Sequence, residues 1–328
     1  DIIDDSPVVY RDARGSDWKP ENFDKEFKGP VTIRKALYES RNVVTVKLLE
    51  KIGAGTAANT AFRMGITTKL NRDLSMGLGT SEVTLLEMVN AYCTLANQGV
   101  HVEPVSILSV RDAAGKLLEE AQPRATEALS PAVAYVVTSM LQDVIDRGTA
   151  STLRSTQKFT RIAAGKTGTT SDFSDAWFMG YTPDLVAGCW FGYDQRRRIG
   201  KLLTGGLIAA PVWAEFMDGA LAGIPSKPFP VPAGVKFARI CAETGKPADK
   251  GCKRLIDEAF VEGSEVQHVE SIDDGNSNLG GFYDKDLVGG ANPSSGTASP
   301  MTPTAAPKAV SQSAGDKDAY PSDGSMGF

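Results

Sequence analysis

Apolar positions recur at helical spacing in some stretches of this 328-residue chain and cluster at strand spacing in others. Ile33, Ala36 and Leu37 predict a short helix over 30–39 with those side chains inward. Asn42 is placed to cap a second helix, 43–52, which Gly53 ends. Ser40-Arg41-Asn42 is then a tight polar loop between two helices. Further helices are predicted over 57–64, before Gly65, and over 81–97, before Gly99. Another starts at Ser130-Pro131, an N-cap serine followed by proline in the first turn, and runs to Arg147. Residues 105–118 predict a hairpin turning at 112–115. Strands are predicted at 159–169, 176–182 and 185–193, where Phe, Trp, Tyr and Val alternate with short turns, the pattern of antiparallel neighbours. A last amphipathic helix covers 211–221. The fold class is therefore α/β, an antiparallel sheet covered by helices.

The ends of the chain read differently. Residues 1–29 predict loop with short strands. After Gly223, the prolines 225, 228, 230 and 232 argue against regular structure. From about Gly275 the chain is Gly, Ser, Pro, Asn and Asp with few aromatics, the composition of a disordered tail. The domain reading is 1–225, an extension 226–274, and a tail 275–328.

Composition narrows the function classes. The chain is 41% hydrophobic and 23% charged, as globular domains are. A net charge of −5 argues against a dedicated nucleic-acid binder. No run approaches the ~18 apolar residues of a membrane span. The opening Asp1-Ile2-Ile3-Asp4-Asp5 lacks the basic start and apolar centre of a signal peptide, and is expected to be a cut inside a longer protein. Cys93 and Cys189 sit in apolar runs and are expected to pack inside. Cys241 and Cys252 flank a turn-rich loop, and an oxidising compartment would allow a disulfide there. Without Cys-x-x-Cys, and with His101 far from His268, the spacing gives no zinc site, and no cofactor is implied.

Two polar motifs carry chemistry. Lys166-Thr167-Gly168-Thr169 follows a strand-like run. Lys166 with the Thr167 and Thr169 hydroxyls can bind a carboxylate. Gly168 lets a substrate backbone approach, and an edge-strand N–H such as that of Thr169 can stabilise an oxyanion. In Ser40-Arg41-Asn42, a serine hydroxyl can relay a proton and an Asn amide can hold a substrate amide. Taken singly, each motif also fits plain structure: an edge strand with an exposed lysine, and a helix–helix turn with an Asn cap.

Together, and in this order, they resemble the transpeptidase domain of bifunctional class A penicillin-binding proteins. Ala36-Leu37-Tyr38-Glu39-Ser40-Arg41-Asn42-Val43-Val44 resembles that family's Ser-x-Asn region, and Lys-Thr-Gly is its third motif. Trp18-Lys19-Pro20-Glu21-Asn22, Gly77-Leu78-Gly79 before Thr84-Leu85-Leu86-Glu87-Met88, Asp175-Ala176-Trp177-Phe178-Met179-Gly180-Tyr181, and Thr204-Gly205-Gly206 before Pro211-Val212-Trp213 are similar as well. The resemblance covers about residues 1–225. It implies a penicillin-recognising transpeptidase fold, incomplete at its start, acting on peptidoglycan stem peptides that end in D-Ala-D-Ala. It implies proton transfer by Ser40, substrate contact by Asn42, and carboxylate and oxyanion binding by Lys166, Thr167, Gly168 and Thr169. β-Lactams would occupy the same groove. The intact protein would be membrane-anchored at the periplasmic face, with partners in wall synthesis.

One departure stands out. The family's nucleophile is a serine opening a buried helix, with a lysine three residues on to activate it. Two Ser-x-x-Lys spacings occur here, Ser16 to Lys19 and Ser155 to Lys158. Polar Glu21-Asn22-Phe23-Asp24-Lys25-Glu26 follows the first, and no helical pattern follows the second. The expectation is that the nucleophile and a glycosyltransferase half lie in sequence absent from this chain, which as written is inactive. The alternatives are a non-catalytic peptide- or β-lactam-binding module, and a β-lactamase-like hydrolase, on the same fold.

Overall fold

The computed structural model describes residues 1–11, 17–249 and 251–266. In chain order the elements are β1 (Ile2–Asp5), β2 (Tyr10–Arg11), β3 (Asp17–Trp18), β4 (Gly29–Thr32), α1 (Ile33–Tyr38), α2 (Asn42–Ile52), α3 (Ala54–Arg63), α4 (Leu85–Ala96), β5 (Val100–Val102), β6 (Ser109–Arg111), β7 (Leu117–Glu120), β8 (Ala125–Glu127), α5 (Pro131–Asp146), α6 (Thr152–Ser155), β9 (Ala164–Thr169), β10 (Ala176–Tyr181), β11 (Val186–Phe191), α7 (Ala210–Ala220), β12 (Val235–Cys241) and β13 (Leu255–Val261). A 3-10 turn spans Leu74–Leu78, and a π-helical turn spans Gly205–Ala209.

The central sheet has the order β11-β10-β9, both pairs antiparallel. Its two faces are read from β10, where side chains alternate. Phe178 and Gly180 face α7: Trp213 packs 5.0 Å from the Phe178 ring and donates its indole N–H to Gly180 O at 3.2 Å. Tyr181 points the other way, and its hydroxyl is 2.8 Å from Thr138 Oγ1 on α5. The sheet is thus sandwiched between α4 and α5 on one side and α7 on the other. Trp213, Tyr181, Phe159 and Phe178 are fully buried at its centre. A buried aromatic cluster of this size dominates the apolar burial that holds the layers together.

Local chemistry sets the helix starts. Thr32 caps α1 by accepting from Lys35 N–H, and Ser130 caps α5 ahead of Pro131. Thr84 and Glu87 form a reciprocal capping box on α4. That box moves the start of α4 to Leu85, inside the predicted 81–97. Likewise the predicted helix over 30–39 divides into β4, which pairs with β1, and α1.

Three expectations are corrected. Strand β9 begins at Ala164, because Phe159 leaves the sheet to bury its ring beside Trp213, 5.3 Å away. Asn42 does not cap α2: it is the first helical residue, and Arg41 occupies the cap position. The proline-rich extension is followed by a regular hairpin, β12–β13, in seven-residue register. Pro225, Pro228, Pro230 and Pro232 precede the first strand and Pro247 lies between the two strands, so none removes a ladder hydrogen bond. Cys241 and Cys252 form a disulfide at one end of this hairpin. Cys93 and Cys189 are free and half-buried, and burial pushes both thiol pKa values up. The expected disordered tail lies outside the described residues, as does Ser16. Among the described residues no helix is long and apolar enough to cross a membrane.

Candidate active site

The site forms where the α1–α2 loop meets the outer edge of β9. Helix α1 closes with two backbone bonds, Ser40 N–H to Leu37 O at 3.2 Å and Arg41 N–H to Ala36 O at 2.8 Å. These bonds define a Schellman C-terminus, which puts Ser40 at the left-handed position with φ +56°. Glycine is the usual occupant there, because a β-carbon clashes.

Strand β9 supplies the facing wall. Thr170 N–H donates to Asp175 O at 3.1 Å, where the β9–β10 ladder ends. Alternation along an antiparallel ladder then aims the Thr167 and Thr169 N–H groups at the outer edge, which no strand covers among the described residues. An open edge bearing free donors can accept an extended peptide as an added strand.

Lys166 links the two walls. Its Nζ donates to Ser40 Oγ at 2.8 Å and to Thr167 O at 3.0 Å. Burial pushes the Lys166 pKa down to about 8, because desolvation disfavours the ammonium. A lysine near neutrality beside a hydroxyl can exchange a proton with it, and when charged it can hold a carboxylate.

Thr167 and Thr169 leave β9 on the face opposite Lys166. Thr167 Oγ1 is 2.6 Å from Thr149 Oγ1, and Thr169 Oγ1 accepts from Gly205 N–H at 3.0 Å. Two close approaches explain Gly205-Gly206. A β-carbon on Gly205 would lie 2.1 Å from Trp177 O, and one on Gly206 2.3 Å from Thr149 O. Only glycines let the π-helical turn lie this close to the sheet and to the Thr149 turn.

Of the residues singled out in the sequence, Ser40, Lys166, Thr167, Gly168 and Thr169 converge on this edge. Asn42 opens α2 directly after the loop, and its amide Nδ2 donates to Glu21 O at 2.9 Å. Ser155 closes α6, and Lys158 Nζ donates to its carbonyl rather than its hydroxyl, at 2.7 Å. Thr149 was missed. Its N–H donates to Tyr38 O at 3.1 Å and its hydroxyl meets Thr167, so it joins α1 to β9. A threonine in an exposed turn carries no sequence signal. Arg41 was quoted only as the middle of a motif, although it is 4% exposed.

Comparison with known proteins identifies the family of the chain. The family model described as the penicillin binding protein transpeptidase domain matches residues 1–193. The chain is 37% identical over 272 residues to penicillin-binding protein 1A of Aquifex aeolicus, covering 83% of this chain and 37% of that protein. It is 39% identical over 243 residues to penicillin-binding protein 1A of Neisseria lactamica, covering 71% and 30%. The crystal structure of penicillin-binding protein 1A from Haemophilus influenzae superposes with a TM-score of 0.75 at 25% identity, over 81% of this chain and 45% of that one. The chain therefore spans less than half the length of these relatives.

Proposed function

This chain belongs to the penicillin-binding protein transpeptidase family, and we propose that it supplies the substrate-binding and proton-transfer part of a serine DD-transpeptidase that cross-links peptidoglycan. The observation that carries this reading is the Lys166 Nζ to Ser40 Oγ contact of 2.8 Å beside an open strand edge. A stem peptide ending in D-Ala-D-Ala would lie along β9. Lys166, Thr167 and Thr169 would hold its terminal carboxylate, and the Thr169 N–H would face the carbonyl oxygen as it gains charge. Gly168 leaves room for the peptide backbone. Asn42 would bind the penultimate amide.

In the acyl-transfer step a serine oxygen bonds to the carbonyl carbon and the bond to the terminal D-Ala nitrogen breaks. Ser40 would deliver the proton that this nitrogen takes as it leaves, and the proton that the attacking serine gives up would return to Ser40 through Lys166, which contacts it. An acceptor amine then attacks the ester and frees the serine. We place the acyl-accepting serine outside these 328 residues, because the sequence after Ser16–Lys19 is too polar for a buried helix and Ser155 closes α6 rather than opening a helix. The natural protein that carries it would be membrane-anchored, face the periplasm and be a β-lactam target. That same lack of a nucleophile favours a second reading, a non-catalytic module that binds wall peptides or β-lactams.

The test is the intact mass of this chain after exposure to a β-lactam, beside the natural full-length protein. The expected result is an adduct on the full-length protein and none on the folded chain. An adduct on the chain would overturn the placement of the nucleophile. Unlabelled full-length protein would overturn the transpeptidase reading in favour of the binding module.

A further inference from the structure

The residue between the two motif positions is the best-anchored side chain of the loop. Arg41 Nε donates to Asp5 Oδ2 at 2.9 Å and Nη1 to Asp24 Oδ2 at 2.6 Å, while Nη2 reaches Glu26 O. Asp5 is fully buried, and its second oxygen accepts from Asn22 Nδ2 at 2.8 Å. Asn22, 1% exposed, turns its own carbonyl to Val43 N–H at 3.2 Å, in the first turn of α2. Lys28 N–H closes the cradle on Asp5 at 3.1 Å. The segment that supplies Asn22 and Asp24 also supplies Glu21 O, the partner of Asn42.

We propose that Arg41 is a positioning residue: its guanidinium, locked between Asp5 and Asp24, holds Ser40 in the left-handed conformation that places Oγ against Lys166. This rests on the reading of Ser40 as the proton-transfer group. Several observations favour it. Ser40 occupies a position that disfavours any side chain, so something outside its own backbone preference must hold it. Arg41 follows it directly and points into the protein, which leaves Ser40 and Asn42 facing outward from the loop. Three acceptors diverge around one planar fork, a geometry that guanidinium satisfies and a single ammonium does not.

The experiment uses the natural full-length protein with a fluorescent penicillin, resolving the non-covalent Kd from the acylation constant k2, with Tm recorded alongside. Arg41→Lys is expected to lower k2 about 10- to 100-fold while Kd changes by about twofold or less. In a Ser40→Ala background, Arg41→Lys is expected to lower k2 no further, since the group it positions is gone. Should Arg41→Lys not fold, Asp5→Asn keeps the shape, removes the charge and is expected to behave in the same way. An undiminished k2 in folded Arg41→Lys or Asp5→Asn overturns the proposal, as does an equal further loss in the Ser40→Ala background. Ser40→Ala separates this from the parent reading. If it leaves k2 unchanged, the role of Ser40 itself fails; if it lowers k2 while Arg41→Lys does not, only the positioning role fails.

Discussion

The two walls of the site are held in opposite ways. Strand β9 is fixed by its ladder to β10, in ordinary extended backbone, and leaves its outer N–H groups free. The Ser40 loop has no ladder. It combines a strained serine with a buried ion pair, Arg41 and Asp5, which the exposed Asp24 extends toward solvent. The difference shows how rigidity can be built twice around one site. A strand is stiff through backbone pairing and can offer an edge. A loop of three residues needs side chains buried behind it to be equally fixed.

Changes at β9 should have the largest effect on chemistry. Lys166→Ala in the full-length protein is expected to lower β-lactam acylation by about 100-fold or more, without loss of fold. Stopped-flow labelling and a melting curve would check it, and undiminished labelling would remove Lys166 from the mechanism.

Charge behind the loop should matter next, and for stability. Arg34 on α1 is buried with Glu258 on β13 and Asp143 on α5, and binds Glu258 through both Nε and Nη2. Glu258→Ala strips Arg34 of its bidentate partner and is expected to cost about 3 kcal/mol in urea unfolding. A loss below about 0.5 kcal/mol would show that the hairpin does not brace α1.

A pH series sharpens the contrast. Lys166, shifted down to about 8 from 10.5, loses its charge early. Binding of a carboxylate-bearing peptide is therefore expected to weaken as pH rises above about 8, by about tenfold per unit. Fold stability should move the other way between about 8 and 10.5, because the unfolded chain binds more protons there. Flat affinity from pH 7 to 9.5, by calorimetry, would count against the lysine as the carboxylate partner.

The smallest effect tests the strain. Ser40→Gly relieves the left-handed β-carbon and is expected to raise stability by about 0.5–1 kcal/mol, roughly 2 °C in Tm. The same variant should acylate more slowly for want of the hydroxyl. A lower Tm would mean that the bracket on Arg41 leaves no strain at Ser40.

Much of this was written locally. Periodicity located α2, α5 and α7 to within about two residues, because amphipathic spacing and the Ser130-Pro131 start act over one or two turns. The Lys-Thr-Gly-Thr and Ser-Arg-Asn motifs named both walls, since each concentrates unusual residue types in a few positions. The start of β9 and the hairpin β12–β13 were misjudged for reasons that also lie far away in the chain. Phe159 leaves the strand to meet Trp213, and Glu258 answers a buried arginine 224 residues earlier.

The sequence by itself determined the family, the order of the motifs and the chemistry of the groups at the site, because those depend on residue identity and short spacing. Tertiary structure alone decided that Lys166 meets Ser40 across 126 residues, that Thr149 joins the site, and that Arg41 is a buried anchor rather than an exposed charge. Such contacts form only when β1, the Asn22 segment, α5 and β9 are packed together. Burial then shifts the lysine and fixes the arginine, and local sequence carries no record of either.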